Sequence, residues 1–235
     1  MYLTRFRFNT ARTGARRLLT SPQILHAAVM QSFAALPALP DGSSPRVLWR
    51  LDRNTSNQVL LYIVSPDRPD LTHIVEQAGW PTTGSWDTFA YTPFLDKLKA
   101  GDIWTFRLTA NPVHSIRTKE GEPTKRTAHI TVRHQLAWLL KQQERAGFTI
   151  CEQPKELPRP TAADEYQVVV RDRRSLDFTK KDPTRSKPNN VQILTVTYDG
   201  RLRIDDVDKL RAVLTAGLGK AKAYGCGLMT LAPAH

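Results

Sequence analysis

The sequence predicts an α+β chain made of two tandem ferredoxin-like (RRM-like) β-α-β-β-α-β domains. Three observations carry that prediction. Runs with strand character recur at 2–8, 46–52, 58–65, 86–90, 103–110, 148–152, 166–171 and 191–198. Stretches with helical spacing fall between them at 22–36, about 70–78, about 131–146 and 206–216. The length of 235 residues also accommodates two domains of ~100 residues each. Boundaries follow at 1–91 for the first domain, 92–101 for a linker and 102–235 for the second.

In the first domain, YLTRFRF at 2–8 alternates; Tyr2, Arg5 and Arg7 cannot all be core, so one face of this strand is polar or faces a partner. Arg12, Arg16 and Arg17 follow with no acidic residue in the first forty, which favours a phosphate-facing surface over a merely solvated one. Ser21 then caps a helix that starts at Pro22, with Ile24, Leu25, Ala28, Val29 and Phe33 on its core side. RVLWRLD and QVLLYIVS are strands joined by the turn residues 54–57. SPDRPD leads to a short helix, and 86–90 closes the unit as a strand.

TPFLDKLKAG at 92–101 reads as a linker. In the second domain, IWTFRLTA is a strand that ends at Asn111-Pro112. Residues 114–130 are polar and basic and predict a long exposed loop carrying Lys125 and Arg126. The helix at about 131–146 ends at Gly147, the position where left-handed backbone is common. Valine-rich 166–171 runs into RDRRSLDFTKKDPTRSKPNN, and 191–198 is a strand again, followed by a tight turn at Asp199-Gly200. Residues 171–190 therefore predict a basic hairpin arm or, in the plainer reading, a solvated loop. After the helix at 206–216 comes GLGKAKAYGCGLMTLAP, with Gly217, Gly219, Gly225 and Gly227 around Lys220 and Lys222. That composition suits a loop touching a polyanion; an ordinary glycine turn before a last strand is the alternative.

Charge narrows the partner class. Lys and Arg number 34 against 22 Asp and Glu, a net charge of +12 spread along the chain. Nucleic acid is the leading partner for a basic globular protein, ahead of a membrane surface. No apolar run approaches the ~20 residues needed to span a bilayer, and MYLTRFRFNT lacks a signal-peptide core. Cys151 and Cys226 have no metal-type spacing and fit free thiols in the cytoplasm.

Walker-type loops, zinc spacings, G-x-S-x-G elbows and paired-carboxylate motifs are absent from the sequence. RNA offers a simpler chemistry. Its 2′-OH can attack the neighbouring phosphate in line, which requires an acid or base near neutral pKa, positive charge and alignment, with no metal or other cofactor. His26 is the one histidine in a well-defined helical turn with basic surroundings; His73, His114, His129 and His134 fall in loops or at helix edges.

MYLTRFRFN, SPQILHAAV, VLWRLD, FRLTANPV, TKR at 124–126, QLAWL at 135–139 and GLGKAKAYGCGLMTLAP, in that order, resemble the CasE family of CRISPR-associated endoribonucleases. These are the repeat-processing subunits of the type I-E Cascade complex. The resemblance implies cleavage of the CRISPR repeat stem-loop through the 2′-OH without metal. The ends left would be a 2′,3′-cyclic phosphate (or 3′-phosphate) and a 5′-OH, with the 3′ handle retained. It implies that repeat RNA and the other Cascade subunits are the partners. It makes His26 the catalytic acid or base. It places Lys125, Arg126, Arg171, Arg173, Arg174, Lys180, Lys181 and Arg185 on RNA, and Lys220 and Lys222 near phosphate. The family's best-studied members carry a tyrosine three residues before the histidine, where this sequence has Gln23. An amide hydrogen-bonds but does not take up or release a proton in the same way. A non-catalytic or very slow stem-loop-binding subunit is therefore the second reading, and a generic double-ferredoxin RNA-binding module the third.

Overall fold

A computed structural model gives the architecture. It describes residues 1–34, 46–55, 58–80, 82, 86–116, 124–154, 165–180 and 189–234. These divide into two compact units. The first is Met1–Leu98 together with Thr215–Gly217 and Lys222–Leu228, and the second is Lys99–Leu214 with Leu218–Ala221 and Met229–His235.

The first unit is built on β1 (Tyr2–Arg7), α1 (Thr13–Thr20), α2 (Pro22–Met30), β2 (Leu48–Thr55), β3 (Gln58–Ser65), α3 (Thr72–Ala78), β4 (Trp86–Ala90) and α4 (Thr92–Asp96). Its sheet runs β2-β3-β1-β4 with every pair antiparallel. That is the strand order of a ferredoxin-like unit, with helices crossing between β1 and β2 and between β3 and β4. Alternation in β1 decides its faces. Thr4 and Phe6 are buried while Arg5 and Arg7 are exposed, with Arg5 paired to Asp87 at 2.7 Å. Phe6, Phe8, Leu25, Val29, Trp49, Leu61, Ile63 and Ile74 form the core.

Three local expectations are corrected here. Residues 13–20, read as a run of surface arginines, form α1, because Ala15 and Leu18 fall on one side and are buried. Arg12 at its N-cap turns back on α3 and donates to the carbonyls of Val75, Glu76 and Gly79, so it closes a helix C-terminus. α2 ends at Met30 rather than continuing to 36, and Ile24, expected in the core, is 37% exposed. Residues 35 and 36 lie outside the described set.

The second unit contains β5 (Ile103–Ala110), β6 (Val113–Ile116), β7 (Lys125–Ala128), α5 (Val132–Leu140), α6 (Gln143–Ala146), β8 (Phe148–Ile150), β9 (Val168–Lys180), β10 (Asn189–Ile204), α7 (Val207–Ala216) and β11 (Met229–Pro233). Its main sheet runs β11-β5-β10-β8, the same ferredoxin-like order, with β9 also paired to β10. The described part of 114–130 is not all loop. Val113–Ile116 pairs antiparallel with Lys125–Ala128, so the basic stretch rises on a two-stranded stem. Asp199-Gly200 is not a turn either. β10 continues through it to Ile204, pairing Gly200 with Phe106 on one side and Val168 on the other. A Cβ at residue 200 would lie 2.4 Å from the Gln167 carbonyl oxygen, so glycine serves there for close strand approach. Gly147 is left-handed as expected, with φ +73°.

Candidate functional site

In the first unit the site grows from the start of α2. Ser21 Oγ accepts from the Ile24 backbone N–H at 3.3 Å and Pro22 occupies the first turn, which fixes the helix start. His26 then lies one turn in, partly buried. Trp49 on β2 donates its indole N–H to His26 Nδ1 at 3.3 Å. Burial lowers the His26 pKa below its ordinary value and favours the neutral ring near pH 7. Gln23 is exposed three residues earlier on the same helix.

The glycine-rich stretch folds against this corner. After α7 a single 3-10 turn, Lys222–Tyr224, packs against α2 and β2. Gly217, Gly219, Gly225 and Gly227 all have positive φ, between 78° and 91°. At Gly225 the reason is contact as well as conformation: a Cβ would lie 2.7 Å from the Trp49 ring. Behind the loop, Arg50 is 1% exposed and grips Asp52 through two bonds of 2.7 and 3.0 Å while donating to the Leu228 carbonyl at 3.0 Å. Lys222 Nζ donates to the Ala216 carbonyl at 2.6 Å and so closes the end of α7. Lys220 is exposed in the second unit beside left-handed Gly219 and Ala221.

The arm in the second unit is a ladder. β9 and β10 pair from Lys180 opposite Asn189 down to Val168 opposite Gly200, with a bulge between Thr195 and Thr197. Arg171 is bound into the sheet: it pairs with Asp172 and with Asp199, which also holds Arg107. Arg173 is exposed and donates to the Ile130 carbonyl at 3.1 Å, tying the arm to the segment after β7. Arg174 is exposed opposite Thr195. Lys125 and Arg126 are exposed on β7. Lys180 ends β9 in the backbone ladder, and Lys181 and Arg185 lie outside the described residues.

Two features escaped the sequence reading. One is the Trp49–His26 bond, which joins residues 23 apart across a helix and a strand. The other is a histidine cluster beside the β6–β7 stem. His114 and His129 stack at 4.4 Å, and His134 lies 5.9 Å from His129. His134 Nδ1 also shares a 2.9 Å bond with Thr131. Burial, then the neighbouring His114, His134 and Lys141, lower the pKa of His129. Their sequence spacing carries no motif that would have announced the cluster. Among the described residues, no group of three or more His, Cys, Asp or Glu side chains is placed to hold a metal ion. No helix among them is long and apolar enough to cross a membrane.

Two ferredoxin-like units, one with a histidine at a helix start, define the class, and comparison with known proteins gives the family. Residues 1–233 match the family described as CRISPR associated protein, and the chain belongs to that family. The CRISPR-associated endoribonuclease Cse3 of Thermus thermophilus is 30% identical over 235 residues, 99% of this chain and 100% of that protein. The CRISPR system Cascade subunit CasE of Escherichia coli K12 is 27% identical over 79% of this chain and 88% of its own length. The structure of Thermus thermophilus Cse3 bound to an RNA representing a pre-cleavage complex superposes with a TM-score of 0.73 at 28% identity, covering 99% of this chain and 98% of that one.

Proposed function

We propose that this chain is a metal-independent endoribonuclease that cleaves CRISPR repeat stem-loop RNA and keeps the 3′ handle as a subunit of a Cascade complex. The observation that carries the reading is the end-to-end similarity to the endoribonuclease Cse3, with His26 partly buried at the start of α2 and its pKa lowered by that burial. In this reading the RNA 2′-oxygen attacks the adjacent phosphorus in line and gives up its proton. The bond from phosphorus to the 5′-oxygen breaks, and that oxygen takes up a proton. The products are a 2′,3′-cyclic phosphate and a 5′-OH. The nucleophile is internal to the RNA, so the protein supplies alignment, positive charge and His26 at the scissile phosphate.

Binding falls to the basic surfaces. Lys125, Arg126, Arg173 and Arg174 are exposed on two-stranded elements and take the stem's phosphates. Lys180, Lys181 and Arg185 are assigned to RNA on the resemblance alone, and exposed Lys220 adds to the basic surface. Arg171 and Lys222 act one step back, through the carboxylate and carbonyl they hold. The free thiols of Cys151 and Cys226 support a cytoplasmic location.

Gln23 favours a second reading, in which the subunit holds the stem-loop and cleaves slowly or not at all. One assay separates the two. The chain is mixed in EDTA with its own repeat RNA, beside His26→Ala and an RNA with a 2′-deoxy nucleotide at the cleaved position. Cleavage by the unaltered chain alone, blocked by the 2′-deoxy substitution, is the expected result. Tight binding without cleavage selects the second reading.

A further inference from the structure

We propose that Trp49 is a positioning residue that fixes the tautomer of His26, presenting its Nε2–H outward as a hydrogen-bond donor to the reacting phosphate. The inference rests on the reading of His26 as the acid–base or electrostatic group, and it decides among those roles.

The geometry is simple. An indole nitrogen only donates, so the ring nitrogen it meets must carry a lone pair. Trp49 Nε1 meets His26 Nδ1 at 3.3 Å. The neutral ring therefore carries its hydrogen on Nε2. In that tautomer Nε2 has no lone pair with which to take the proton of the 2′-OH. The imidazolium, which alone could pass a proton on without forming imidazolate, would set an Nδ1–H against the indole N–H. Both proton-transfer roles thus cost the Trp49 bond. What the arrangement favours is a neutral donor aimed at charge that develops on a phosphate or leaving oxygen.

The glycine-rich loop belongs to the same device. Gly225, at φ +80°, lets the loop backbone lie against the Trp49 ring, where a Cβ would come within 2.7 Å of it. The loop's close fit thereby sets the angle at which the indole meets the histidine. Charges around the ring do not compete for the assignment. Arg50 pairs with Asp52 on β2, and Arg53 donates to the Leu19 carbonyl. Lys222 on the 3-10 turn donates to Ala216, and Arg16 on α1 donates to Ala11. His73 on α3 donates to Ala28, leaving Arg17, Glu76 and Tyr224 as the other ionisable groups on these elements. Burial alone lowers the His26 pKa.

The test is nitrogen NMR of histidine-labelled full-length protein, with the pH profile of single-turnover cleavage. The unaltered chain should show His26 as the Nε2–H tautomer and a rate that rises with pH to a plateau. Trp49→Phe keeps the ring and removes the N–H. It should mix the tautomers, lower the rate constant with repeat-RNA affinity unchanged, and move the acid limb up by roughly half to one pH unit. An Nδ1–H tautomer in the unaltered chain overturns the inference, and needs no variant to fold. So does a Trp49→Phe spectrum and acid limb that match the unaltered chain. Cleavage persisting in His26→Ala would instead sink the catalytic reading of His26, leaving the tautomer result standing.

Discussion

Replacing Arg50 by alanine should remove a large part of the stability of the first unit, and the structure gives the size. The Arg50 and Asp52 side chains are 1% and 5% exposed. Their two bonds, at 2.7 and 3.0 Å, satisfy each other's charge, and a third at 3.0 Å satisfies the Leu228 carbonyl. Truncation leaves the Asp52 carboxylate buried with its guanidinium gone, a loss of about 3–5 kcal/mol. Leaving the Leu228 carbonyl without this donor adds about 1 kcal/mol. For a chain of this length that corresponds to roughly 8–24 °C in melting temperature. Urea unfolding followed by circular dichroism, with a thermal scan beside it, measures both. The double variant Arg50→Met, Asp52→Leu supplies the control. With no charge left behind, it should recover most of the loss, since apolar replacements of a buried pair are often neutral. Arg50→Ala within about 1 kcal/mol of the unaltered chain would refute the reasoning, as would a double variant no more stable than the single one.

Two further outcomes follow from the second unit. Affinity for repeat RNA should fall steeply with salt, and Arg174→Ala should reduce the slope of log K against log salt by about 1 while weakening all stem sequences alike; filter binding between 50 and 300 mM salt, roughly the range where such slopes are read, checks it, and a flat dependence counts against the arm as a phosphate surface. Gly147→Ala meets both a left-handed φ of +73° and the Asp206 carbonyl oxygen at 2.4 Å, so it should cost more than about 1 kcal/mol; denaturant midpoints within error of the unaltered chain would contradict that.

How much of this was legible in the sequence varies with the range of the interactions involved. Strands 58–65, 86–90 and 103–110 were read to the residue because alternation or an unbroken apolar run is a local signal. α1 was missed because only Ala15 and Leu18 mark its buried side among the arginines. Asp199-Gly200 looked like a turn by composition, but β5 and β9 flank it and hold the strand straight. His26 could be singled out from the Ser-Pro helix start and the motif around it. Its Trp49 partner could not, because a strand-to-helix contact leaves no periodic trace. The lysines divide for the same reason. Lys222 and Lys220 look alike in sequence, yet one is committed to Ala216 and the other is exposed.

The Arg50–Leu228 bond also sets a clock. Its two ends are separated by 178 residues, at the far sides of the second unit's sequence. During synthesis at roughly 5–20 residues per second, Arg50 emerges about 9–36 s before the Leu228 carbonyl that it holds. Through that interval a buried arginine lacks its carbonyl and the Trp49 ring lacks its glycine floor. The indole–histidine corner is therefore finished only when the glycine-rich segment docks. A nascent or truncated chain can carry the histidine and the helix that bears it without yet having the packed indole–histidine corner.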